Sequence, residues 1–223
     1  MSGTLYLVAT PIGNRQDITL RAIEILKQVD FVACEDTRHT GLLLHALEIH
    51  KPLISCHEHN EARRTEEFLQ KLQQGSSIAL VSDAGTPLIS DPGYRLVKAC
   101  YAAGIVVTAL PGPCAVINAL VLSGFPPTPF YFAGFLPPKT HGRVKLLESL
   151  KAIPATLLFY ESPHRILKSL EDFAKIFPER ELVVLREMTK MFEERKVGKP
   201  AELLDLLKDK KPKGEWVIVM DNR

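Results

Sequence analysis

The sequence predicts an α/β protein built of two α/β domains, the first with a mainly parallel sheet and the second with a mixed one. Three observations lead there. The chain opens on a strand, a helix and a second strand between Thr4 and Cys34, and such units strongly favour parallel pairing. The run Ser123-Gly124-Phe125-Pro126-Pro127-Thr128-Pro129 cannot continue a helix, so it divides the chain into a domain at 1–122, a linker at 123–128 and a domain at 129–223. Beyond that break, strands follow one another with less helix between them. At 223 residues and 46% hydrophobic content the chain can bury one large core or two smaller ones.

Each element has a local cause. Thr4 to Ala9 is β-rich and ends in the turn Thr10-Pro11-Ile12-Gly13-Asn14. Asp17 is expected to cap a helix carrying Leu20, Ile23, Ile25 and Leu26 on one side, and Asp30 to Cys34 returns as a strand. Leu53 to Cys56 makes a short strand before a charged helix from Glu61 to Gln74. Ile78 to Val81 is apolar throughout, as a strand buried on both faces requires, and Asp83, Gly85 and Pro87 break it at once. Asp91-Pro92-Gly93 is expected to cap the helix Tyr94 to Ala103, which Gly104 ends. Ile105 to Leu110 is a strand, and Val116 to Leu122 an apolar helix. After the break come a strand from Phe130 to Gly134, a helix to Lys151, a strand from Thr156 to Tyr160 and a helix to Phe177. Strands at Leu182 to Leu185 and Glu193 to Val197, a helix at Glu202 to Leu207, a lysine-rich turn and a strand at Glu215 to Met220 complete the chain.

Charge and cysteine usage narrow the setting. The net charge is +2, with 10 basic and 12 acidic residues up to Asn118 and 18 and 14 beyond it, so attraction to a polyanion is local. Cys34, Cys56, Cys100 and Cys114 form no CxxC pair and lie in or beside apolar runs, which suits buried thiols in a reducing, cytoplasmic setting. No apolar run has the length of a membrane span, so no membrane partner is expected.

The chemistry gathers where strands end. Ser82 to Gly93 leaves the carboxyl end of a central strand, where ligands bind in open α/β sheets. Glu35-Asp36-Thr37-Arg38-His39-Thr40 puts four ionisable groups behind the second strand, although acids there also complement a helix dipole. Five of the seven histidines fall between His39 and His59, but only His57 and His59 form a close pair, so no metal site is expected. They read instead as one rim of the same crevice. Pro111-Gly112-Pro113-Cys114-Ala115 turns into an apolar helix whose free amides suit a carboxylate or a flat base.

CEDTRHT (34–40), HEHNE (57–61), SDAGTPLISDPG (82–93), LPGPCA (110–115), GFLPPK (134–139), YESPHR (160–165) and GEW (214–216) together resemble one group of the tetrapyrrole methylase-like family, the small-subunit ribosomal RNA (cytidine-2′-O)-methyltransferases. The resemblance covers essentially the whole chain. It implies the tetrapyrrole methylase-like fold, S-adenosylmethionine as methyl donor in a cleft between the domains, ribosomal RNA or the small ribosomal subunit as partner, and a homodimer. Carried onto this sequence, donor contacts would come from Thr10, Pro11, Asp83, Ala84, Gly85, Thr86, Cys114, Ala115, Tyr160 and Glu161. The group often continues into a small helical domain past the position of Arg223, and the lack of that stretch here bears on how tightly RNA is held.

A ribose 2′-hydroxyl is weakly acidic, so methyl transfer needs alignment together with a proton acceptor or a cation beside the developing oxyanion. The candidates are Asp36, Arg38, His59, Glu187 and Lys190. Arg38, Arg63, Arg64, Lys139, Arg143, Arg165 and Lys190 follow strands or open helices at the same end and are expected to meet RNA phosphates. The alternatives are a same-fold enzyme acting on a tetrapyrrole or a protein, a metal-dependent hydrolase using the His39–His59 cluster, and a donor-binding module without activity of its own.

Overall fold

Strands β1 (Thr4–Val8), β2 (Phe31–Cys34), β3 (Leu53–Ser55), β4 (Ile78–Leu80) and β5 (Val106–Leu110) form a sheet in the order β3-β2-β4-β1-β5, every neighbouring pair parallel. The structure is a computed structural model that describes residues 2–209 and 211–223. Helices α1 (Leu20–Gln28), α2 (Thr37–Ala46), α3 (Glu61–Gln73) and α4 (Tyr94–Ala102) connect the strands and cover both faces. Leu5, Phe31, Ile78 and Leu80 pack with Phe68 and Leu72 of α3 and Leu96 and Cys100 of α4. Val8, Val32, Cys34 and Ala79 pack with Ala22 and Leu26 of α1 and Leu44 of α2. Burial on both faces is why β2 and β4 read as unbroken apolar runs, and β4 is the central strand the sequence predicts.

Two helix caps differ from expectation. Asp17 lies in a single 3-10 turn (Arg15–Asp17), and Thr19 caps α1 by accepting the Ala22 amide, because the extra turn moves the helix start past the aspartate. Asp91 does not cap α4. Gly93 occupies that position with φ +129°, and Glu61 of α3 accepts the Gly93 and Arg95 amides at 3.0 and 3.1 Å. A carboxylate from a neighbouring helix thus replaces the local cap, which a reading confined to nearby residues cannot find.

Residues up to Cys114 form one compact unit and those from Ala115 a second. Helix α5 (Ala115–Ser123), which the expected boundary leaves in the first domain, packs on two strands of the second sheet and counts with it. That sheet runs β6 (Phe130–Phe135), β7 (Thr156–Glu161), β10 (Trp216–Asp221), β8 (Leu182–Arg186), β9 (Glu194–Gly198). β6 pairs with β7 in parallel and the other pairs are antiparallel, so the sheet is mixed as predicted. Leu157, Phe159, Val184, Ile218 and Met220 meet α6 (Thr140–Leu150), α7 (Ile166–Ile176) and α8 (Pro200–Lys208) in one core. The lysine-rich turn before β10 includes Lys210, which lies outside the described residues.

Candidate active site

At the carboxyl edge of the first sheet the backbone itself ties the loops together. Thr10, after β1, and Gly85, after β4, exchange both amide hydrogen bonds at 2.9 and 3.0 Å. Thr10 Oγ1 donates to the Ser82 carbonyl at 3.0 Å, Ser82 Oγ to the Gly85 carbonyl at 3.1 Å, and Thr86 Oγ1 to the Pro113 carbonyl at 2.9 Å. Gly85 holds φ +88°, and a Cβ there would stand 3.3 Å from Ile12 Cγ2. The site needs glycine for both reasons. Thr10, Gly85, Thr86 and Pro113 are therefore one cluster within the first unit. Pro11 and Cys114 are half-buried on the same loops, and Ala84 is exposed.

The next pair of strands brings the acids together. The chain leaves β2 toward β3 and β4 toward β5, in opposite directions along the sheet, and a crevice opens at such a point. The Asp36 amide donates to Asp83 Oδ1 at 3.1 Å across it. Asp36 caps α2 by accepting the Arg38 amide at 2.8 Å, and its other oxygen meets the Arg38 guanidinium at 2.7 Å. The Arg38 side-chain hydrogen bond, aided by that amide, holds the Asp36 carboxyl well below the usual range, so it accepts a proton poorly near neutral pH. Asp91 is the opposite case. Burial, then the nearby charges of Glu35 and Asp83, push its carboxyl up to about 7 against a hydrogen bond with Ser82. Burial and Asp83 also raise Glu35, with His57 opposing.

The histidine-rich stretch makes a hydrogen-bonded corner. Asn60 Oδ1 accepts the His57 amide at 2.9 Å, which orients Asn60 Nδ2 toward His57 Nε2 at 3.0 Å. His39, His45, His50 and His59 are exposed, and the His57 and His59 ring centroids lie 6.0 Å apart. Among the described residues no three His, Cys, Asp or Glu side chains are grouped to hold a metal ion. Cys34, Cys56 and Cys100 are buried, and burial raises their thiols, to about 11 for Cys56 and Cys100. Cys114 is half-buried.

The remaining candidates lie in the second unit or on the first unit's outer helices. The Val116 amide, at the start of α5, donates to Tyr160 Oη at 3.1 Å. Glu161 is buried, accepting the Ser162 amide at 2.7 Å, Arg165 Nε at 2.9 Å and Ser169 Oγ at 2.5 Å, so its side chain is committed to the start of α7 and Arg165 to it. Lys190 Nζ bridges Glu187 and Glu215, each at 2.9 Å. For Lys190 burial opposes the charge, but the two carboxylates outweigh it and raise the ammonium; for Glu187 burial is likewise outweighed by Lys190. Arg64 donates to the Ser55 carbonyl and pairs with Glu67, whereas Arg63 and Lys139 are exposed. Arg143 corrects the expected RNA-facing set. It is 1% exposed, paired with Asp172 at 2.8 Å and bonded to the Pro137 and Pro138 carbonyls and Thr140, so it organises a core and offers nothing to a phosphate.

The residues that local reading passed over are Asp91, Glu35 and Glu61. The first two stand in the acid-bearing stretches already singled out, and their raised proton affinity comes from burial that only the folded chain displays.

Residues 4–204 match the model of the family described as Tetrapyrrole (Corrin/Porphyrin) Methylases. The chain is 52% identical over 222 residues to "Ribosomal RNA small subunit methyltransferase I" of Escherichia coli O157:H7, covering 98% of this chain and 78% of that protein. A relative of the same name in Thermotoga maritima is 46% identical, with 99% of both chains covered. Relatives of one name thus differ in length. Among solved structures, a diphthine synthase superposes with TM-score 0.75 at 15% identity, covering 98% of this chain and 89% of that one. A uroporphyrin-III-C-methyltransferase from Thermus thermophilus gives 0.67 at 23%, covering 99% and 95%. At those identities the likeness establishes the fold and nothing more.

Proposed function

Because the chain belongs to the tetrapyrrole (corrin/porphyrin) methylase family, we propose that it transfers a methyl group from S-adenosylmethionine to the ribose 2′-oxygen of a cytidine in small-subunit ribosomal RNA. The observation that carries this reading is identity near one half, over essentially the full chain, to relatives named as ribosomal RNA small subunit methyltransferases. A tetrapyrrole or protein substrate is not favoured, since the structures bearing those names share only the fold.

The residues of the first unit fit the donor. The Thr10–Gly85 exchange and the Thr86–Pro113 bond fix the two loop backbones against each other, and a Cβ at Gly85 would press on Ile12 Cγ2 at 3.3 Å. Thr10, Pro11, Asp83, Ala84, Gly85, Thr86 and Cys114 would hold the donor there, with Ala115, Tyr160 and Glu161 as further contacts implied by the resemblance. The donor supplies an electrophilic methyl, already activated by positive charge. The protein's part is alignment, which is worth roughly 7–11 kcal/mol in well-oriented reactions, and acceptance of the hydroxyl proton.

Asp36 and Glu187 bind protons too weakly for that acceptance, while Asp91, at about 7, is matched to it. Asp91 therefore joins His59 as a candidate acceptor, and Arg38 and Lys190 remain candidate electrostatic partners. RNA would be held at exposed Arg63 and Lys139, with Arg38, Arg64, Arg165 and Lys190 sharing their charge with carboxylates. The protein would work in the cytoplasm as a homodimer. Incubation with methyl-labelled donor and small ribosomal subunits tests the reading: label is expected in the RNA, and label confined to protein, or none, overturns it.

A further inference from the structure

One edge of the second sheet carries a feature that the methyl-transfer site does not use. β6, β7 and β8 run in the same direction, so Phe135, Tyr160–Glu161 and Arg186 end at one edge, where β10 begins at Trp216 and β9 at Glu194. Two aromatic side chains stand out of that edge. Phe135 is 53% exposed although its ring rests against Tyr160 at a centroid distance of 5.4 Å, and Tyr160 is itself fixed by the Val116 amide. Phe192 is 66% exposed, and its neighbour Met191 is 90% exposed.

Neither belongs to a loose loop. Met188 is buried, the Lys190 and Glu193 amides donate to the Glu187 and Lys190 carbonyls at 3.0 and 3.1 Å, and the Thr189 amide donates to Glu193 Oε2 at 2.5 Å. Lys190 Nζ staples the turn to Glu215 at the start of β10. A backbone fixed in this way loses less entropy when a flat partner arrives. Between the two rings lie Lys139 after β6, exposed, Arg165 after β7, paired with Glu161, and Lys190 after β8, shared between Glu187 and Glu215.

We propose that this edge is a base-stacking platform for the RNA substrate, with Phe135 and Phe192 each receiving an unpaired base. The inference rests on the RNA-methyltransferase reading and extends it to a determinant of substrate binding. Exposed aromatic rings with a cation in reach are what a single strand requires, because every base has a π-face and every linkage a phosphate. Spacing agrees. At about 4.8 Å per strand, Phe135 on β6 and Phe192 between β8 and β9 are roughly 14–19 Å apart, the span of about four to six stacked nucleotides at 3.4 Å each. A second copy of the chain could also cover apolar side chains, but the RNA substrate of the proposed reaction and the exposed Lys139, four residues after Phe135, favour an anionic strand.

The test compares Phe192→Ala, Phe192→Tyr, Phe192→Leu and Phe135→Ala with the unmodified protein, using small ribosomal subunits as substrate and light scattering for oligomeric state. Loss of one stacked base predicts a rise in KM for the subunit of roughly 5- to 150-fold, with the donor KM unchanged and Phe192→Tyr restoring what Phe192→Leu does not. Fluorescence of an oligonucleotide carrying 2-aminopurine should be quenched on binding and recover with Phe192→Ala. Unchanged subunit KM in both alanine variants, full rescue by leucine, or a change in oligomeric state instead of in KM overturns the platform and leaves the methyl-transfer reading standing. Absence of transfer by the unmodified protein overturns that reading, and if the oligonucleotide is then bound without quenching, the platform falls with it.

Discussion

Replacing Arg143 separates a structural cation from an RNA contact. Its guanidinium is buried and makes an ion pair with Asp172 through two nitrogens, at 2.8 and 2.9 Å, besides two carbonyls and a hydroxyl. Arg143→Ala would leave the Asp172 carboxylate in the core with, among the described residues, only the cation of Lys175, 3.9 Å away and largely in water. Breaking one partner of such a pair costs about 3–5 kcal/mol, which for a unit of this size lowers the melting temperature by roughly 12–20 °C. Replacing both partners with apolar side chains, Arg143→Met with Asp172→Leu, should recover most of that loss, since the desolvation cost disappears with the charges. Thermal unfolding followed by circular dichroism reads the stability, and RNA affinity across a salt series reads the contact. The expected result is a large loss for the single variant, recovery in the double, and an unchanged salt slope in the double. An unaltered melting temperature for Arg143→Ala, with a salt slope reduced by about 0.7 as for one lost phosphate contact, would refute the reasoning.

Gly85→Val should abolish donor binding in calorimetry while circular dichroism stays native, because a branched side chain at φ +88° strains the backbone by about 1–3 kcal/mol and presses on Ile12, which shifts the loop; unchanged affinity would remove the donor from that loop. Asp91 sets a pH dependence. Its folded value of about 7 lies above the ordinary 3.8, so the folded chain keeps a proton that the unfolded chain has lost, and the resulting stability is full below about pH 4 and gone above about 7. Asp91→Asn should therefore raise the urea midpoint at pH 8 and change it little at pH 4, and a gain equal at both would contradict the assignment. Glu61→Ala, which strips α4 of its borrowed cap, should cost about 1–2 kcal/mol by denaturant unfolding, and loss of under a few tenths would show that the cap contributes nothing.

Much of this architecture can be read from residues close together in the chain. The unbroken apolar runs Phe31–Cys34 and Ile78–Leu80 announce strands covered on both faces, and the glycine, acid and proline that follow the second announce where the chain must turn. Other features depend on residues far apart. Glu61 caps a helix that starts more than thirty positions later, and nothing near Gly93 reveals it. Arg143 has the spacing of a helix-end cation in the sequence, and its burial becomes visible only once Asp172 on the next helix is brought beside it. Helix α5 is apolar enough to suit either sheet, and packing against β7 and β10 decides. Asp36, marked as a candidate base by its position, proves to cap α2, while Asp91, marked as a cap, acquires the proton affinity of a base. Position at a strand end is legible; proton affinity depends on burial and neighbours that distant segments supply.

The most direct measurement is nuclease digestion and mass spectrometry of ribosomal RNA from small subunits that lack the modification, after incubation with the protein and S-adenosylmethionine. One 2′-O-methylcytidine per subunit, absent when Gly85→Val replaces the unmodified protein, is the expected result; a methyl group on a base or on a ribosomal protein, or no transfer at all, would contradict the assignment.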